Sequence, residues 1–549
     1  MNIIEQIQKD FNDYLERLFD ISPDLTAQTS LIINTDENKS EFGDLNSNAA
    51  MVLAKTLGKR PMEVAELIAG GFTHEQVKEI ALHPPGFLNL FLTDDALQNL
   101  AKQMHDQKKT FFKIYQNSKE NINIEFVSAN PTGPLHVGHG RGAIIGDVLA
   151  NVLNFSGLKA TKEFYINNAG NQMQKLGMSF KIRCMQLLEQ DVALPEEAYH
   201  GEYLLELAKP LVAQEGQQLL EKPEAFFSQY AEEHLLAALK KTLEDYGVTF
   251  DVWFPETKLH NDGEIEKALK ILHQNGYLYE KDGATWFKAT AFGDDKDRVL
   301  IKDDGQYTYA SADVAYMQDK IDRGFNHLIM ILGHDHHSYL MRLKCIQQAL
   351  GLAEYPLDII LYQLVKMKQS GDLVRMSKRA GNIVTLHDVI QTVGKDVARF
   401  FFLNRKADAQ LEFNIDLAMK KTDENPVYYV QYAYVRTKSI LKKAEEIKAL
   451  HSINSDDAQF ITHEEALLLK KMAALRSILE TICKNNQTHL LTYYVLELAN
   501  IFHSYYGQHR VIDEEHIEQS RGRLLLISIL KDTFETVLTL LGISCPEKM

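Results

Sequence analysis

Two histidines, His136 and His139, lie three residues apart in the segment PTGPLHVGHGRG, which spans residues 131–142. The strand-like segment NINIEFV precedes them, and the helix-like segment GAIIGDVLANVLNF follows. This pattern predicts a turn from a strand into a helix that begins near His139. Backbone N–H groups at a helix N-terminus attract anions, and imidazoles can donate to phosphate oxygens as negative charge develops on them. We therefore predict that both histidines stabilise the phosphates of a nucleotide.

Three glycines, Gly138, Gly140 and Gly142, alternate with other residues in the same segment. They lack side chains, so we expect a nucleotide ring and its phosphates to lie directly against the backbone there. The segment is not a P-loop, because the chain contains no GxxxxGK[ST] sequence. Taken alone, it is also consistent with a glycine-rich turn that carries two incidental histidines.

A second basic segment, GDLVRMSKRAGN, spans residues 371–382 and contains Arg375, Lys378 and Arg379. Its polar composition and flanking glycines suit a loop that closes over a triphosphate and brings Lys378 to the phosphates in the transition state. A short basic loop is more often only a solvated surface. The chemical interpretation therefore depends on the two segments occurring together.

The elements that must position these motifs follow from the rest of the chain. From residue 121 onward, β-rich segments such as KATKEFYI, HLIMILG and LDIILYQLV alternate with helical ones, which predicts a parallel sheet covered by helices. A helical insertion is expected at about 190–245. We predict a multi-domain α/β protein with a small α/β domain at 1–110, a parallel-sheet domain at 111–424 and an all-α bundle at 425–549.

Composition narrows the class of protein. The chain has 549 residues and a formal net charge of -16, which argues against a protein that coats nucleic acid nonspecifically. No apolar run approaches the roughly 20 residues needed to span a bilayer, and the N-terminus lacks a signal-peptide core. The four cysteines are far apart and are expected to be reduced thiols. We expect a cytoplasmic protein.

Taken together, HVGH and MSKR resemble the two signature sequences of class I aminoacyl-tRNA synthetases. Over almost its whole length the chain resembles the arginyl-tRNA synthetases in particular, through segments such as FYINNAGNQM, YHGEYL, FDVWFPE, LGHDHHSY, YYVQYAYVRTKSI and FHSYYGQHRVI. The resemblance implies a Rossmann catalytic domain, an N-terminal domain that contacts tRNA and an anticodon-binding bundle. It also implies ligation of L-arginine to tRNA(Arg) with ATP and accompanying Mg²⁺, and activation of arginine only when tRNA is bound.

The same resemblance implies roles for individual residues. For the catalytic centre, it implies His136, His139 and Lys378, with ATP also contacted by Gly138, Asp335, Met376, Ser377 and Arg379. For the arginine pocket, it implies Glu125, Asn130, Tyr309 and Asp313, where the two carboxylates would pair with a guanidinium and a neutral amino acid would leave them unpaired. For tRNA, we expect contacts from Tyr432, Arg436, Tyr505 and Tyr506, because aromatic rings stack on bases.

Two other functions are alternatives to an aminoacyl-tRNA synthetase. His334, Asp335, His336 and His337 offer nitrogen and oxygen ligands for a metal hydrolase, but adjacent histidines on a strand point to opposite faces, so at most two could share one metal. The second alternative is a tRNA-binding paralogue without catalysis, which would have no use for both phosphate-binding segments. We therefore predict an enzyme without a metal site built from protein ligands, without a membrane partner and active as a monomer.

Overall fold

Three regions of secondary structure follow one another along the chain. The computed structural model describes residues 2–334, 337–373 and 384–549. An antiparallel sheet with helices comes first, a parallel sheet covered by helices comes second, and a group of helices comes last. The predicted α/β class with a helical C-terminal region is confirmed.

The N-terminal region is a four-stranded antiparallel sheet, in the order β1-β2-β4-β3, flanked by helices. Its first helix begins at a capping box in which the Asn2 side chain accepts from the backbone of Glu5. Ile7, Phe11 and Leu15, spaced by one turn, bury one face of that helix. The elements are α1 (Ile3–Phe19), α2 (Pro23–Thr26), β1 (Leu31–Ile33), β2 (Leu45–Ser47), α3 (Ala49–Leu57), α4 (Pro61–Gly71), β3 (Val77–His83), β4 (Phe87–Leu92) and α5 (Asp94–Gln107).

The central region contains a five-stranded parallel sheet in the order β12-β11-β5-β6-β7. Its strands and covering helices are β5 (Asn121–Phe126), α6 (Val137–Ser156), β6 (Lys159–Ile166), β7 (Val252–Pro255), α10 (Glu256–Asn261), α11 (Glu264–Gln274), α12 (Tyr309–Asp322), β11 (His327–Gly333), α13 (His337–Ala349) and β12 (Leu357–Tyr362). The chain leaves β5 toward β6 on one side, while β11 pairs with β5 on the other side. The strand order therefore reverses at β5, and a crevice opens beyond the carboxyl ends of β5 and β11, where such sheets bind ligands.

A helical insertion follows β6 and has a hydrophobic core of its own. It consists of α7 (Asn171–Leu187), α8 (Glu202–Glu215) and α9 (Glu224–Asp245). Buried side chains from all three helices, including Phe180, Leu204 and Phe227, form that core. The helices expected at about 190–245 are thus α8 and α9, and they pack on α7.

Two small three-stranded sheets were not expected from the sequence. One consists of β8 (Leu278–Lys281), β9 (Ala284–Phe287) and β10 (Arg298–Ile301), and the other of β13 (Val365–Gln369), β14 (Asp372–Leu373) and β15 (Leu411–Asn414). The second sheet is followed by α14 (Leu386–Val393) and α15 (Lys395–Leu403), and β15 leads into α16 (Ile415–Ala418). The second basic segment, residues 371–382, lies in the chain between β13 and α14.

The C-terminal region is helical, as predicted. Its helices are α17 (Pro426–Glu445), α18 (Ala466–Ala473), α19 (Leu475–Asn485), α20 (Leu490–Gln508) and α21 (Ile517–Leu541). This bundle packs on the N-terminal region through a buried ion pair, in which Lys470 Nζ lies 2.8 Å from Asp44 Oδ1. The other carboxylate oxygen of Asp44 accepts the backbone N–H of Leu92 at 2.8 Å.

Candidate active site

The turn between β5 and α6 brings His136 and His139 together. His136 is the N-cap of α6, and its Nδ1 accepts the backbone N–H of Gly138 at 3.1 Å. The Nδ1 of His139 accepts the backbone N–H of His136 at 3.3 Å, and the two rings stack with centroids 3.7 Å apart. Because each Nδ1 accepts a hydrogen bond from a backbone N–H, the neutral tautomer of each ring carries its proton on Nε2. Both rings are therefore prepared to act as donors at the N-terminus of a long helix.

A constrained backbone precedes the two histidines. Val127 and Ser128 have φ angles of 67° and 40°, a left-handed conformation that costs roughly 1–3 kcal/mol for each non-glycine residue. The Ser128 hydroxyl holds this turn, because it donates to Glu125 Oε1 at 3.0 Å and accepts the backbone N–H of Tyr165 at 3.1 Å. The half-buried Asn130 follows in the same turn, beyond the carboxyl end of β5.

The glycines of the signature segment serve helix packing more than ligand access. A Cβ on Gly140 would lie 2.6 Å from the Leu386 side chain, and one on Gly142 would lie 2.8 Å from the Tyr362 ring. The expectation that a nucleotide lies against these two glycines is therefore wrong, because protein side chains already fill that space. Gly138 differs, since it is half-buried and its nearest neighbour is the His136 ring.

The residues that follow the second basic segment lie beside the histidines. The backbone N–H of Leu386 donates to the carbonyl of Leu135 at 2.8 Å, and Thr385 forms a β-bridge with His136. Residues 374–383 therefore end next to the N-terminus of α6. The predicted residues Met376, Ser377, Lys378 and Arg379, and also Asp335, lie outside the described residues.

Asp313 lies on α12 and faces the crevice. Its Oδ1 accepts a 2.5 Å hydrogen bond from the Tyr339 hydroxyl of α13. Its Oδ2 is buried and has no hydrogen-bond partner among the described residues. Burial raises the pKa of Asp313 to about 7, although the Tyr339 hydrogen bond and the charge of Arg342 act in the opposite direction. The site thus holds one carboxylate oxygen whose hydrogen-bonding capacity is unused.

Glu125, the second carboxylate predicted for the pocket, already has a cationic partner. Its Oε2 lies 2.6 Å from the ammonium of Lys320, and both side chains are buried. Glu125 therefore does not await a guanidinium as an unpaired carboxylate, and its contact with the substrate stays a prediction. Lys320 escaped sequence analysis because 195 residues separate it from Glu125. Its position seven residues after Asp313, on the same face of one helix, was the available signal.

The remaining groups around the pocket are aromatic and acidic. Tyr309 begins α12, one turn before Asp313, and is 51% exposed. Glu256, at the start of α10, is buried, and burial raises its pKa. Behind Lys320, the Tyr316 hydroxyl donates to Glu163 at 2.5 Å, and Arg323 binds the same carboxylate through two hydrogen bonds. This network lies next to Lys320, whose ammonium is 4.3 Å from the centroid of the Tyr316 ring.

The helical insertion contacts the turn that precedes His136. The hydroxyl of Tyr203, in α8, donates to the backbone carbonyl of Thr132 at 2.5 Å. The ring of Tyr203 lies against Gly133, where a Cβ would come within 3.2 Å of it. The insertion thus holds the turn from outside the parallel sheet.

Two buried arginines attach α6 to the elements around it. Arg141 donates to the backbone carbonyls of Gln363, Lys406 and Ala409. The Nη2 of Arg399, in α15, donates to Asp147 of α6 at 2.5 Å, and its Nε donates to the carbonyl of Leu541 at the end of α21. The helix that carries the signature histidines is therefore linked to the last helix of the bundle through Arg399 of α15.

In the bundle, three of the four predicted tRNA contacts lie together. The Arg436 guanidinium lies over the Tyr432 and Tyr506 rings, 4.6 and 4.8 Å from their centroids. These residues line a cleft of about 780 Å³, here called the Arg436 cleft, together with Lys443, His509, Arg510 and Met549. Tyr505 does not belong to it, because its ring is buried and its hydroxyl donates to Glu465 at 3.3 Å. The structure thus contradicts the predicted tRNA contact at Tyr505.

Sequence analysis missed His503, which stacks on Tyr432 at a centroid distance of 5.9 Å. Burial lowers its pKa, and the neighbouring charge of Arg436 lowers it further. Tyr432 also lines a second cleft of about 800 Å³ on its other side, which contains Lys395, Lys421, Tyr428, Tyr429 and Lys548. Exposed aromatic rings are thus interleaved with cations along this face of the bundle.

Neither a membrane span nor a metal cluster is found in the part of the chain that the structure describes. None of its helices is long and apolar enough to cross a bilayer. Within the same residues, no group of three or more His, Cys, Asp or Glu side chains could hold a metal ion. The metal-hydrolase alternative depends on residues 334–337, of which Asp335 and His336 lie outside the described part.

Comparisons with known proteins agree along the chain. Residues 5–92 match the arginyl tRNA synthetase N-terminal domain, residues 99–409 the class I tRNA synthetase (R) catalytic domain, and residues 430–549 the DALR anticodon binding domain. The arginine–tRNA ligases of Bacillus subtilis strain 168 and Geobacillus kaustophilus strain HTA426 are 38% and 40% identical to the chain, each with 100% of both sequences covered. The solved structure of Thermus thermophilus arginyl-tRNA synthetase superposes with a TM-score of 0.79 over 100% of both chains at 19% identity, which is a likeness of fold.

Proposed function

This chain belongs to the arginyl-tRNA synthetase family, and we infer from that premise that the crevice between His136 and Asp313 is where arginine is activated. The chain is a class I ligase that acts on arginine, ATP and tRNA. In the proposed reaction, the arginine carboxylate attacks the α-phosphate of ATP, which yields arginyl-adenylate and pyrophosphate. A ribose hydroxyl of the terminal adenosine of tRNA(Arg) then attacks the arginyl carbonyl and releases AMP.

The unused Oδ2 of Asp313 is the observation that carries the arginine assignment. A buried acceptor without a donor costs about 1–3 kcal/mol or more, and a guanidinium supplies a charged donor. The Tyr339 hydroxyl fixes the other oxygen, so the carboxylate is already oriented toward one incoming group. We assign Tyr309 to the mouth of this pocket and Asn130 to the substrate's α-amino group. Glu125, which is paired with Lys320, is proposed as the second carboxylate of the pocket.

ATP is proposed to lie with its phosphates at the N-terminus of α6. The Nε2 protons of His136 and His139 and the backbone at Gly138 would donate to phosphate oxygens. Lys378 is proposed to contact the same phosphates, which is supported by the Leu386–Leu135 hydrogen bond that holds the start of α14 beside His136. Met376, Ser377 and Arg379 of that segment, and Asp335 near the ribose, complete the proposed ATP site. The chemistry then needs positioning and electrostatic stabilisation, without a covalent enzyme intermediate.

Magnesium is proposed to arrive with ATP. Mg²⁺ commonly keeps several waters and binds through substrate phosphates instead of an all-protein cage. The donor set fits this arrangement, since the described residues contain no cluster of three metal-binding side chains. The histidines and Lys378 would then share the phosphate charge with the ion.

The Arg436 cleft is proposed as an anticodon site. Tyr432 and Tyr506 are 44% and 38% exposed, so their faces are accessible for base stacking, which is worth about 1–3 kcal/mol per base. Arg436 and Lys443 supply positive charge for the phosphates. We withdraw Tyr505 from this assignment. The proposed boundaries remain 1–110 for the N-terminal tRNA-contacting domain, 111–424 for catalysis and 425–549 for anticodon binding, in a monomeric cytoplasmic enzyme.

Aminoacylation of total tRNA with ATP and a panel of amino acids tests the proposal. Arginine should be charged, while lysine and citrulline should not. Citrulline is the sharper comparison, because it retains the length and shape of arginine but its urea group is neutral and would leave Asp313 unpaired. Charging of citrulline at a rate near that of arginine would contradict the assignment of the Asp313 pocket.

A further inference from the structure

Arg342 stands next to the proposed arginine pocket without belonging to any site described above. It lies on α13, one turn after Tyr339, and its guanidinium lies over the Tyr339 ring at 5.4 Å. Its Nη1 is 3.7 Å from Asp313 Oδ2. The same helix therefore contacts Asp313 twice, through a hydroxyl on one carboxylate oxygen and a guanidinium beside the other.

This pair differs from two buried ion pairs described above. Lys320 and Glu125 approach to 2.6 Å, and Arg399 and Asp147 to 2.5 Å, which are hydrogen-bonded distances. The distance of 3.7 Å between Arg342 and Asp313 is too long for a hydrogen bond. The buried Nε of Arg342 has no hydrogen-bond partner among the described residues. Oδ2 is thus close to a positive charge while its lone pairs stay open to another donor.

We propose that Arg342 is a positioning residue for the amino-acid substrate, a resident cation that keeps Asp313 ionised while leaving its Oδ2 open to the substrate guanidinium. This inference rests on the proposed arginine pocket. It explains how a cationic pocket neighbour can favour a cationic substrate. A protonated Asp313 would present an O–H donor to a group that has donors only, whereas an ionised one presents an acceptor.

The charge is needed because the other neighbours of Asp313 oppose ionisation. Glu125 from β5 and Glu256 from α10 carry like charge toward it, and burial acts in the same direction. Tyr165 from β6 adds a phenol whose pKa burial raises, so it remains neutral. On its own helix, Lys320 is bonded to Glu125 and Tyr316 to Glu163. From α13, Tyr339 supplies one hydrogen bond, and Arg342 is the cation nearest to the open oxygen among the described residues.

The experiment compares L-arginine binding to the full-length chain and to Arg342→Met by calorimetry at pH 6.5 and pH 8.5. An opposite charge at this distance lowers a carboxyl pKa by about one unit or more. With the pKa of Asp313 at about 7 in the unaltered chain, the variant should bind arginine about eightfold more weakly at pH 6.5 but less than about twofold more weakly at pH 8.5. Both proteins meet the same ligand, so titration of arginine itself cancels in the ratio.

Two further variants separate charge from structure. Arg342→Lys keeps the charge and should bind like the unaltered chain at both pH values. Lys344→Met removes one exposed cation from the same helix and should leave both affinities unchanged. A ratio for Arg342→Met that is the same at pH 6.5 and pH 8.5 would overturn the inference and leave the pocket intact. If the unaltered chain did not bind arginine at all, the proposed pocket itself would fail, and this inference with it.

Discussion

The backbone N–H of Leu386 donates to the carbonyl of Leu135 at 2.8 Å, so the start of α14 is held next to the residue that precedes His136. Two residues that lie about 250 positions apart in the sequence therefore meet at one helix N-terminus.

Lys378→Ala should slow adenylate formation by about a hundredfold or more, the scale for loss of one preorganised group that stabilises the transition state. Arginine affinity should change little. Single-turnover kinetics of arginyl-adenylate formation measures the effect. Lys368→Ala is the matched control, because it removes a cation from β13, where the pair with Glu412 is exposed. Unchanged turnover in Lys378→Ala would remove this lysine from the mechanism.

Asp313→Asn should lower the affinity for arginine and raise the stability of the folded chain near neutral pH. Arginine binding should weaken by about tenfold or more, because a charge-assisted acceptor becomes an amide with one acceptor and two donors. ATP binding should persist. Calorimetric titration with each ligand separates the two effects.

The effect of Asp313→Asn on stability should depend on pH over a defined range. The folded-state pKa of Asp313, about 7, lies above its ordinary value of 3.8, so its contribution to stability is fully present below pH 3.8 and is lost as pH rises to about 7. The Asn variant does not ionise and avoids this loss. Its Tm minus that of the unaltered chain should therefore increase between about pH 4 and pH 7 and stay constant above. A difference that does not vary with pH would show that Asp313 titrates normally.

Tyr203→Phe should slow adenylate formation by about fivefold, since one hydrogen bond contributes roughly 1 kcal/mol net and this one holds the turn before His136. The Michaelis constant for tRNA should not change. Tyr230→Phe offers a control in the same insertion, where the Tyr230 ring stacks on Phe180 at 5.5 Å. Equal rates for the two variants would mean that the Thr132 contact does not influence catalysis.

Adjacent tyrosines of α20 should behave differently. Tyr506→Ala removes an exposed ring from the Arg436 cleft and should raise the Michaelis constant for tRNA about tenfold, with arginine affinity unchanged. Tyr505→Phe removes a hydroxyl bonded to Glu465 and should lower the Tm without affecting tRNA. Steady-state charging and thermal unfolding measure the two outcomes, and the opposite assignment of effects would refute the proposed orientation.

Arginine-dependent ATP/pyrophosphate exchange should require tRNA. A route exists, because Arg399 bonds both the carbonyl of Leu541, at the end of the bundle, and Asp147 in the signature helix. Docking in the bundle could thereby favour the competent orientation of α6, so that remote binding energy raises the rate. The assay uses tRNA whose terminal ribose has been oxidised, so that it binds without being charged. Equal exchange with and without it would show that the site is already assembled in the free enzyme.

Local patterns predicted the framework, and long-range contacts limited the prediction of the site. The spacing of His136 and His139 after a strand placed both at a helix start, because strand and helix periods are local properties. The interpretation of Gly140 and Gly142 was wrong because a glycine in a sequence indicates only that a side chain would not fit. The groups that fill the space, Leu386 and Tyr362, come from distant parts of the sequence.

Lys320 and Tyr505 are two further residues whose contacts depend on long-range packing. The position of Lys320 seven residues after Asp313 indicates the face of α12 on which it lies, but its pairing with Glu125 forms only when β5 and α12 pack together. Tyr505 and Tyr506 are neighbours, yet successive positions on a helix point about 100° apart, and only the packing of Glu465 decides which ring is buried.

The buried pair between Asp44 and Lys470 has a consequence for synthesis of the chain on the ribosome. The N-terminal sheet emerges first, and within it Asp44 accepts the backbone N–H of Leu92. Its lysine partner is translated 426 residues later. Until then the surface around Asp44 remains in water, and at about 5–20 residues per second the wait lasts tens of seconds. Docking of the first domain onto the bundle is therefore among the last steps of assembly, and the nascent chain must keep this surface from other partners until its own bundle arrives.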